Sequence, residues 1–202
     1  MTERQVLRRR WAIRSLWAMA FIGAILLPEM IFDALRGTDQ ARDPLAAIEQ
    51  QLRERYDFPH ISGESLRRMQ ATASAGTSDG PVVFDVRQAA EHAVSHIDGA
   101  IQVDPAISAV DFMAQYGALV AGRDVVFYCS VGRRAVRLAA RVEKPVAAAG
   151  TRVHNLSGGI FRWHGEERPL VTAEGVATDQ VHMFNRSVGS LMPRPQLGVI
   201  AE

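Results

Sequence analysis

Residues Val125 to Ala135, VVFYCSVGRRA, constrain this chain more than any other stretch. An apolar run of β-branched and aromatic residues ends in the only cysteine, and a glycine and two adjacent arginines follow before a helical pattern begins. That order reads as a strand, a tight loop and a helix start. At a helix N-terminus the first backbone N–H groups lack intrahelical partners and the aligned peptide dipoles present positive potential, so an anion there is stabilised. A sulfur at the head of such a loop, beside Arg133 and Arg134, is favoured as the thiolate. Gly132 suits a loop that turns its amides inward, because it tolerates positive φ. A second reading stays open, in which Cys129 is a small buried hydrophobe at the end of a core strand. Two arginines beside an inert thiol would then need another explanation.

Around this stretch, short apolar runs alternate with helical patterns. Val82 to Phe84 is a strand ending at Asp85, Ile101 to Val103 is a second, and Arg152 to Leu156 reads as the last. Ser62 opens a helix to about Met69, with Ala71 to Gly80 as a small-residue loop. Ser108 and Asp111 make a capping-box-like start for a helix through Tyr116, with Gly117 and Gly122 at its exit. The helix after the loop runs from about Arg133 to Glu143 and is stopped by Lys144 and Pro145. The alternation predicts an α/β fold with a mainly parallel sheet and helices on both faces. In such sheets reactive loops sit at the carboxyl ends of strands, which is where Cys129 lies.

Three stretches together resemble the rhodanese-like (thiosulfate sulfurtransferase) family. CSVGRRA matches that family's active-site loop, CxxGxR followed by a small residue. FDVRQAAEHAVSHIDGAIQV, from Phe84 to Val103, is similar to the first family signature: Asp85 and Arg87 close a strand, and a His-Ile-x-Gly-Ala turn containing His96 follows a short helix. LSGGIFRWHGEERPLV, from Leu156 to Val171, resembles the second, with paired Gly158 and Gly159, Trp163 and a late proline. The motifs occur in the family's order between roughly Ile61 and Val171; the N-terminal fifty or so residues and the tail beyond about Glu174 fall outside.

The resemblance implies a persulfide chemistry. Cys129 is the nucleophile and sulfur carrier, the backbone amides from Ser130 through Val131, Gly132, Arg133 and Arg134 cradle the persulfide, and the two arginines stabilise an anionic donor and its leaving group. Related phosphatases and arsenate reductases place one more residue between Cys and Arg, so the shorter loop here suits a sulfur atom better than a tetrahedral oxyanion. The family often has a cation directly after the cysteine, where this chain has Ser130. Asp85 could be read as a general base, but in the family Asp85 and Arg87 correspond to structural residues. His96 is expected as a hydrogen-bonding hinge. Gly158 and Gly159 are expected to let backbone approach the loop closely. Trp163 lines or buttresses the loop, or is a core residue. His92 and His96 have helical metal spacing, but Ala93 stands where a zincin pattern needs Glu, so no metal and no cofactor are expected.

The rest of the chain is less specific. Net charge is +1, and no basic block interleaved with aromatics occurs outside the extreme N-terminus, which argues against nucleic acid as a partner. One cysteine excludes an intramolecular disulfide. Arg4, Arg8, Arg9, Arg10 and Arg14 precede an uncharged run from Ser15 to Pro28, with Glu29 and Asp33 after it. The positive-inside rule keeps that N-terminus cytoplasmic and translocates the remainder. Residues 1–36 are read as an uncleaved signal anchor that puts the domain on the periplasmic or extracytoplasmic side. A cleaved signal, giving a secreted protein, and an apolar helix docked on a domain stay open. Residues 37–60 form a linker and a stalk helix: Asp43 and Pro44 start it, and Leu45, Ile48, Leu52 and Tyr56 make one apolar stripe for the domain or for a partner helix. Residues 61–174 are read as the domain that resembles the rhodanese-like family. The tail, 175–202, either folds back over the domain or docks a partner.

The functional expectation is a sulfurtransferase that takes sulfane sulfur from thiosulfate or a similar small donor and passes it to cyanide or a thiol, which a protein could also supply. A membrane-tethered binding or regulatory module without turnover is the alternative, and a thiol redox sensor would need an external resolving thiol.

Overall fold

A computed structural model describes residues 43–74 and 80–200. The expected signal anchor at 1–36 and the linker up to Arg42 lie outside the described residues. No helix among the described residues is long and apolar enough to cross a membrane.

Two strands with every residue buried set the core: β2 (Val82–Asp85) and β4 (Val125–Tyr128). Such continuous apolar runs belong to parallel strands covered on both faces. They pair in parallel, with β3 (Ile101–Gln102) outside β2 and β5 (Val153–Leu156) then β1 (His60–Ile61) outside β4, in the order β1-β5-β4-β2-β3. The register sets Asp85 opposite Tyr128, so Asp85 and Cys129 leave the sheet at the same carboxyl end.

The two-residue period of a strand divides the side chains between two clusters. Val83, Val126 and Tyr128 face α1 (Pro44–Arg55), α2 (Gly63–Ser74) and α6 (Gly159–Gly165), packing on Leu45, Ile48, Leu52, Leu66, Ile160, Phe161 and Trp163. Val82, Phe84, Val125 and Phe127 face α4 (Ala109–Val120) and α5 (Arg133–Ala148), packing on Phe112, Val120, Leu138, Ala139, Val142 and Val146. Phe112 meets the Phe84 ring edge-on at 5.2 Å. Truncating so buried an aromatic costs about 3–5 kcal/mol.

Several boundaries differ from the sequence reading. The helix α5 does not stop at Lys144 but runs through Pro145 to Ala148. Pro145 removes one N–H from the last turn, while Val142 and Val146 keep the apolar face on the sheet, and that burial outweighs one missing bond. For the same reason α4 passes Gly117 to reach the buried Val120. Helix α2 continues beyond Met69 to Ser74, into what reads as loop. Strand β5 is not the last: Leu170–Val171 (β6) pairs antiparallel with Ala177–Thr178 (β7), and Val181–His182 (β8) pairs parallel with Gly198–Val199 (β9). Two-residue strands are too short to carry an alternation pattern.

Both flanking segments are part of the folded body. Helix α1, the expected stalk, buries Leu45, Ile48 and Leu52 in the first cluster. The tail packs back on the domain, with Val181 and Met192 buried in the same cluster. Between β8 and β9 lie the short helix α7 (Arg186–Gly189), capped by the Asn185 side chain, and a 3-10 turn at Pro195–Leu197.

Candidate functional site: the loop after β4

Cys129 follows β4 directly and is a free thiol, 1% exposed. Its main-chain carbonyl and that of Ser130 accept hydrogen bonds from the N–H groups of Ile160 (2.9 Å) and Phe161 (3.1 Å) at the start of α6. Two glycines in the left-handed region permit this, Gly158 at φ +66° and Gly159 at φ +55°. A Cβ on Gly159 would collide with the Cys129 carbonyl oxygen. On the other side Gly132, at φ +92°, caps α5, and a Cβ there would sit 3.2 Å from Leu52 and 3.3 Å from Asn155 Nδ2. Backbone from two helices therefore clamps the loop. Val131 is buried in the first core cluster.

Arg134 faces back along the loop. Its two terminal nitrogens donate to Glu91 Oε2 (2.6 Å) and Oε1 (2.8 Å), and Nη2 also donates to Ser130 Oγ (3.0 Å). Ser130 in turn donates to Glu91 Oε1 at 3.3 Å. Burial disfavours the Arg134 charge, but the Glu91 hydrogen bonds and the adjacent Cys129 sulfur outweigh it, and its pKa is raised. Burial likewise raises Glu91, and the Arg134 hydrogen bonds with the Gln88 N–H overrule it and lower its pKa. The Arg134 fork is thus already engaged by a carboxylate beside Cys129. Arg133 points elsewhere: it is exposed on α5 and lines a cleft with Arg55 and Arg137.

Glu91 and Phe184 are the residues that sequence reasoning missed. Glu91 is 2% exposed at the third position of α3 (Ala89–Val94), where it also accepts the Gln88 N–H in a capping box. Glu91 stands at capping-box spacing from Gln88, but Gln is not one of the usual capping residues, and nothing in QAAE signals a partner on α5. Phe184, between β8 and α7, lays its ring over the Arg134 guanidinium at 5.1 Å. It has φ +66° and is 48% exposed.

Asp85 and Arg87 are wholly buried and paired, Arg87 Nη2 to Asp85 Oδ2 at 2.6 Å. Tyr128 Oη donates to the same oxygen at 3.0 Å, His92 Nδ1 lies 3.0 Å from it, and Arg87 Nη2 also reaches the Ser95 carbonyl at 2.6 Å. Burial pushes the Asp85 carboxyl up, but Arg87 and the hydrogen bonds from His92 and Arg87 hold it at about 2. With both oxygens occupied and no exposure, Asp85 fixes the β2–α3 corner rather than facing the loop as a base. His96 pairs its backbone with Val171, its Nδ1 lies 3.0 Å from the His92 carbonyl, and its ring stacks on His92 at 3.8 Å. Trp163 is 2% exposed, donates to the Pro169 carbonyl at 2.9 Å and carries Arg168 on its ring, so it buttresses the core beneath α6. Among the described residues no group of three or more His, Cys, Asp or Glu could hold a metal ion.

The rhodanese-like domain model matches residues 66–166. No curated protein matches the chain. Similar solved structures include a protein of Bacillus halodurans, 21% identical over 74% of this chain and 99% of that one, TM-score 0.46. An As–Sb reductase of Leishmania major is 19% identical over 60% of this chain and 92% of its own, TM-score 0.49. A thiosulfate sulfurtransferase of Pseudomonas aeruginosa is 17% identical over 76% of this chain and 27% of its own, TM-score 0.46.

Proposed function

The chain belongs to the rhodanese-like domain family, and from that premise we propose that it is a sulfurtransferase carrying a persulfide on Cys129. The observation that supports this most directly is the seat of the sulfur: it lies at the head of the loop entering α5, beside Arg134. The helix-start N–H groups and a guanidinium there suit the negative charge of a persulfide. The Cys129 thiolate attacks the sulfane sulfur of thiosulfate or a similar donor; a new S–S bond forms, the donor's S–S bond breaks, and its electron pair leaves with sulfite. The acceptor, cyanide or a thiolate, then attacks the outer sulfur and Cys129 returns to thiolate. No external oxidant enters either step. In this reading Arg134 steadies the persulfide, and Glu91 and Ser130 hold Arg134.

On charge pattern alone, residues 1–36 are proposed to anchor the domain on the extracytoplasmic side of a membrane, with Arg4 to Arg14 retained in the cytoplasm.

The test is intact mass of the full chain before and after thiosulfate, then after cyanide. The expected result is a gain of about 32 Da, one sulfur, removed by cyanide and absent from Cys129→Ser. A free thiol that takes up no sulfur from thiosulfate or from an organic persulfide would leave a binding module without turnover as the reading.

A further inference from the structure

A cleft of about 320 Å³ opens between the end of α1 and the start of α5, lined by Arg55, Arg133, Arg137, Tyr56, Gln51 and Leu52. Its wall carries three guanidinium groups and no carboxylate. Among the described residues none of the three arginines takes part in an ion pair. Arg133 and Arg137 stand one turn apart on one helix, a like-charge spacing that weakens a helix, and Arg55 adds a third cation from another element. Arg55 lies over the Tyr56 ring at 5.8 Å. Helix α5 begins at Arg133, and its cap Gly132 offers no side chain to the first N–H groups, so the helix end adds to the positive potential. Cations converging without counter-charge draw anions, and an arginine fork matches a carboxylate in particular. The size fits a small molecule rather than a protein surface.

We propose that this cleft binds the carboxylates of a small acceptor thiol and so selects the compound to which Cys129 passes its sulfur. The inference rests on the sulfur-transfer reading. Arg133 directly follows the Gly132 turn of the catalytic loop, so the cleft borders that loop. A thiol held there by its carboxylates attacks the outer sulfur of the Cys129 persulfide; the acceptor gains an S–S bond, and the old bond's electron pair stays on Cys129. Arg55, Tyr56, Gln51 and Leu52 all precede residue 66, so the cleft combines the family's loop with a helix that the family match does not include.

The test uses the full chain and two readouts. S-methylglutathione, which has two carboxylates and no free thiol, is titrated calorimetrically into the wild type, Arg55→Ala and Arg137→Ala. Both arginines are exposed, so neither substitution removes core packing. Binding is expected in the wild type and about tenfold weaker in each variant, the loss typical of one charge-assisted contact. The preference for glutathione over 2-mercaptoethanol as sulfur acceptor is expected to fall by about the same factor. No binding, binding unchanged in both variants, or an unchanged preference overturns the proposal. Absent persulfide with titration intact overturns the sulfur-transfer reading and with it the acceptor role; absent titration with persulfide intact overturns the cleft alone.

Discussion

Glu91 and Arg134 meet fork to fork across the loop, at 2.6 and 2.8 Å, with the Glu91 side chain 3% exposed and that of Arg134 23%. The pair aims a cation at Cys129 without freeing that cation to wander. Glu91→Ala leaves a largely buried guanidinium without its counter-charge, which costs about 3 kcal/mol, the low end for a buried pair because Arg134 keeps some solvent. Glu91→Gln keeps the shape and loses the charge. Urea unfolding should rank wild type above Gln above Ala, and persulfide transfer should fall about tenfold or more in both variants. Wild-type transfer in Glu91→Gln would show that Arg134 does not depend on this carboxylate.

Acid should unfold the domain through Asp85. Its pKa is held at about 2, below the ordinary carboxylate value, so its stabilisation is complete above pH 4 and is lost as pH falls toward 2. The difference corresponds to about 2 kcal/mol. Glu91 is lowered too and acts in the same direction. Urea midpoints at pH 5, 3 and 2 measure it. In Asp85→Asn the slope should flatten, while stability at pH 7 drops by about 3–5 kcal/mol because Arg87 stays buried without its partner. An unchanged acid slope in that variant would remove Asp85 from the account.

Much of this was legible in the chain, and the reasons differ by residue. The run VVFYC and the later Gly158–Gly159 pair carry their signals locally, a buried strand and a positive-φ turn, and the structure has β4 and the α6 entry there. The Glu91–Arg134 pair was not legible because it joins positions 43 apart, and only the parallel register of β2 with β4 brings Glu91 on α3 within reach of Arg134 at the start of α5. The direction of Arg133 was hidden for a different reason: adjacent arginines on a helix point about 100° apart, and only the packing of α1 beside α5 decides which of the two lines the cleft. The tail was illegible because its strands are two residues long and its buried residues, Val181 and Met192, follow no period.

Gly159 and Gly150 separate backbone strain from collision. Both have positive φ, +55° and +75°, but a Cβ on Gly150 meets nothing within 4 Å, whereas on Gly159 it strikes the Cys129 carbonyl oxygen. Gly150→Ala should cost about 1–2 kcal/mol, the conformational penalty alone. Gly159→Ala should cost about 3 kcal/mol or more and displace the loop, so persulfide loading falls as well. Urea unfolding with mass measurement after thiosulfate reads both quantities. Equal losses at the two positions would mean that α6 does not clamp the loop.

Phe184 tests whether the tail serves the site. A bulky residue at φ +66° is strained, and this one is held there by its N–H to His182 Nδ1 at 3.0 Å while Asn185 caps α7 next to it. Phe184→Ala removes the ring over Arg134 and keeps the strain; Phe184→Gly removes the same ring and sheds about 1–2 kcal/mol of strain. The lost cation–π contact costs about 0.5–1 kcal/mol in both. The glycine variant should therefore be the more stable of the two by about 1 kcal/mol. If the ring only stabilises the fold, both folded variants should transfer sulfur at the wild-type rate despite their different stabilities. If the ring shields the Arg134 guanidinium from water, both variants should be slowed several-fold alike, despite their different stabilities. The second outcome is expected, because the ring touches the arginine that faces the sulfur; wild-type rates in both variants would confine the tail to a packing role.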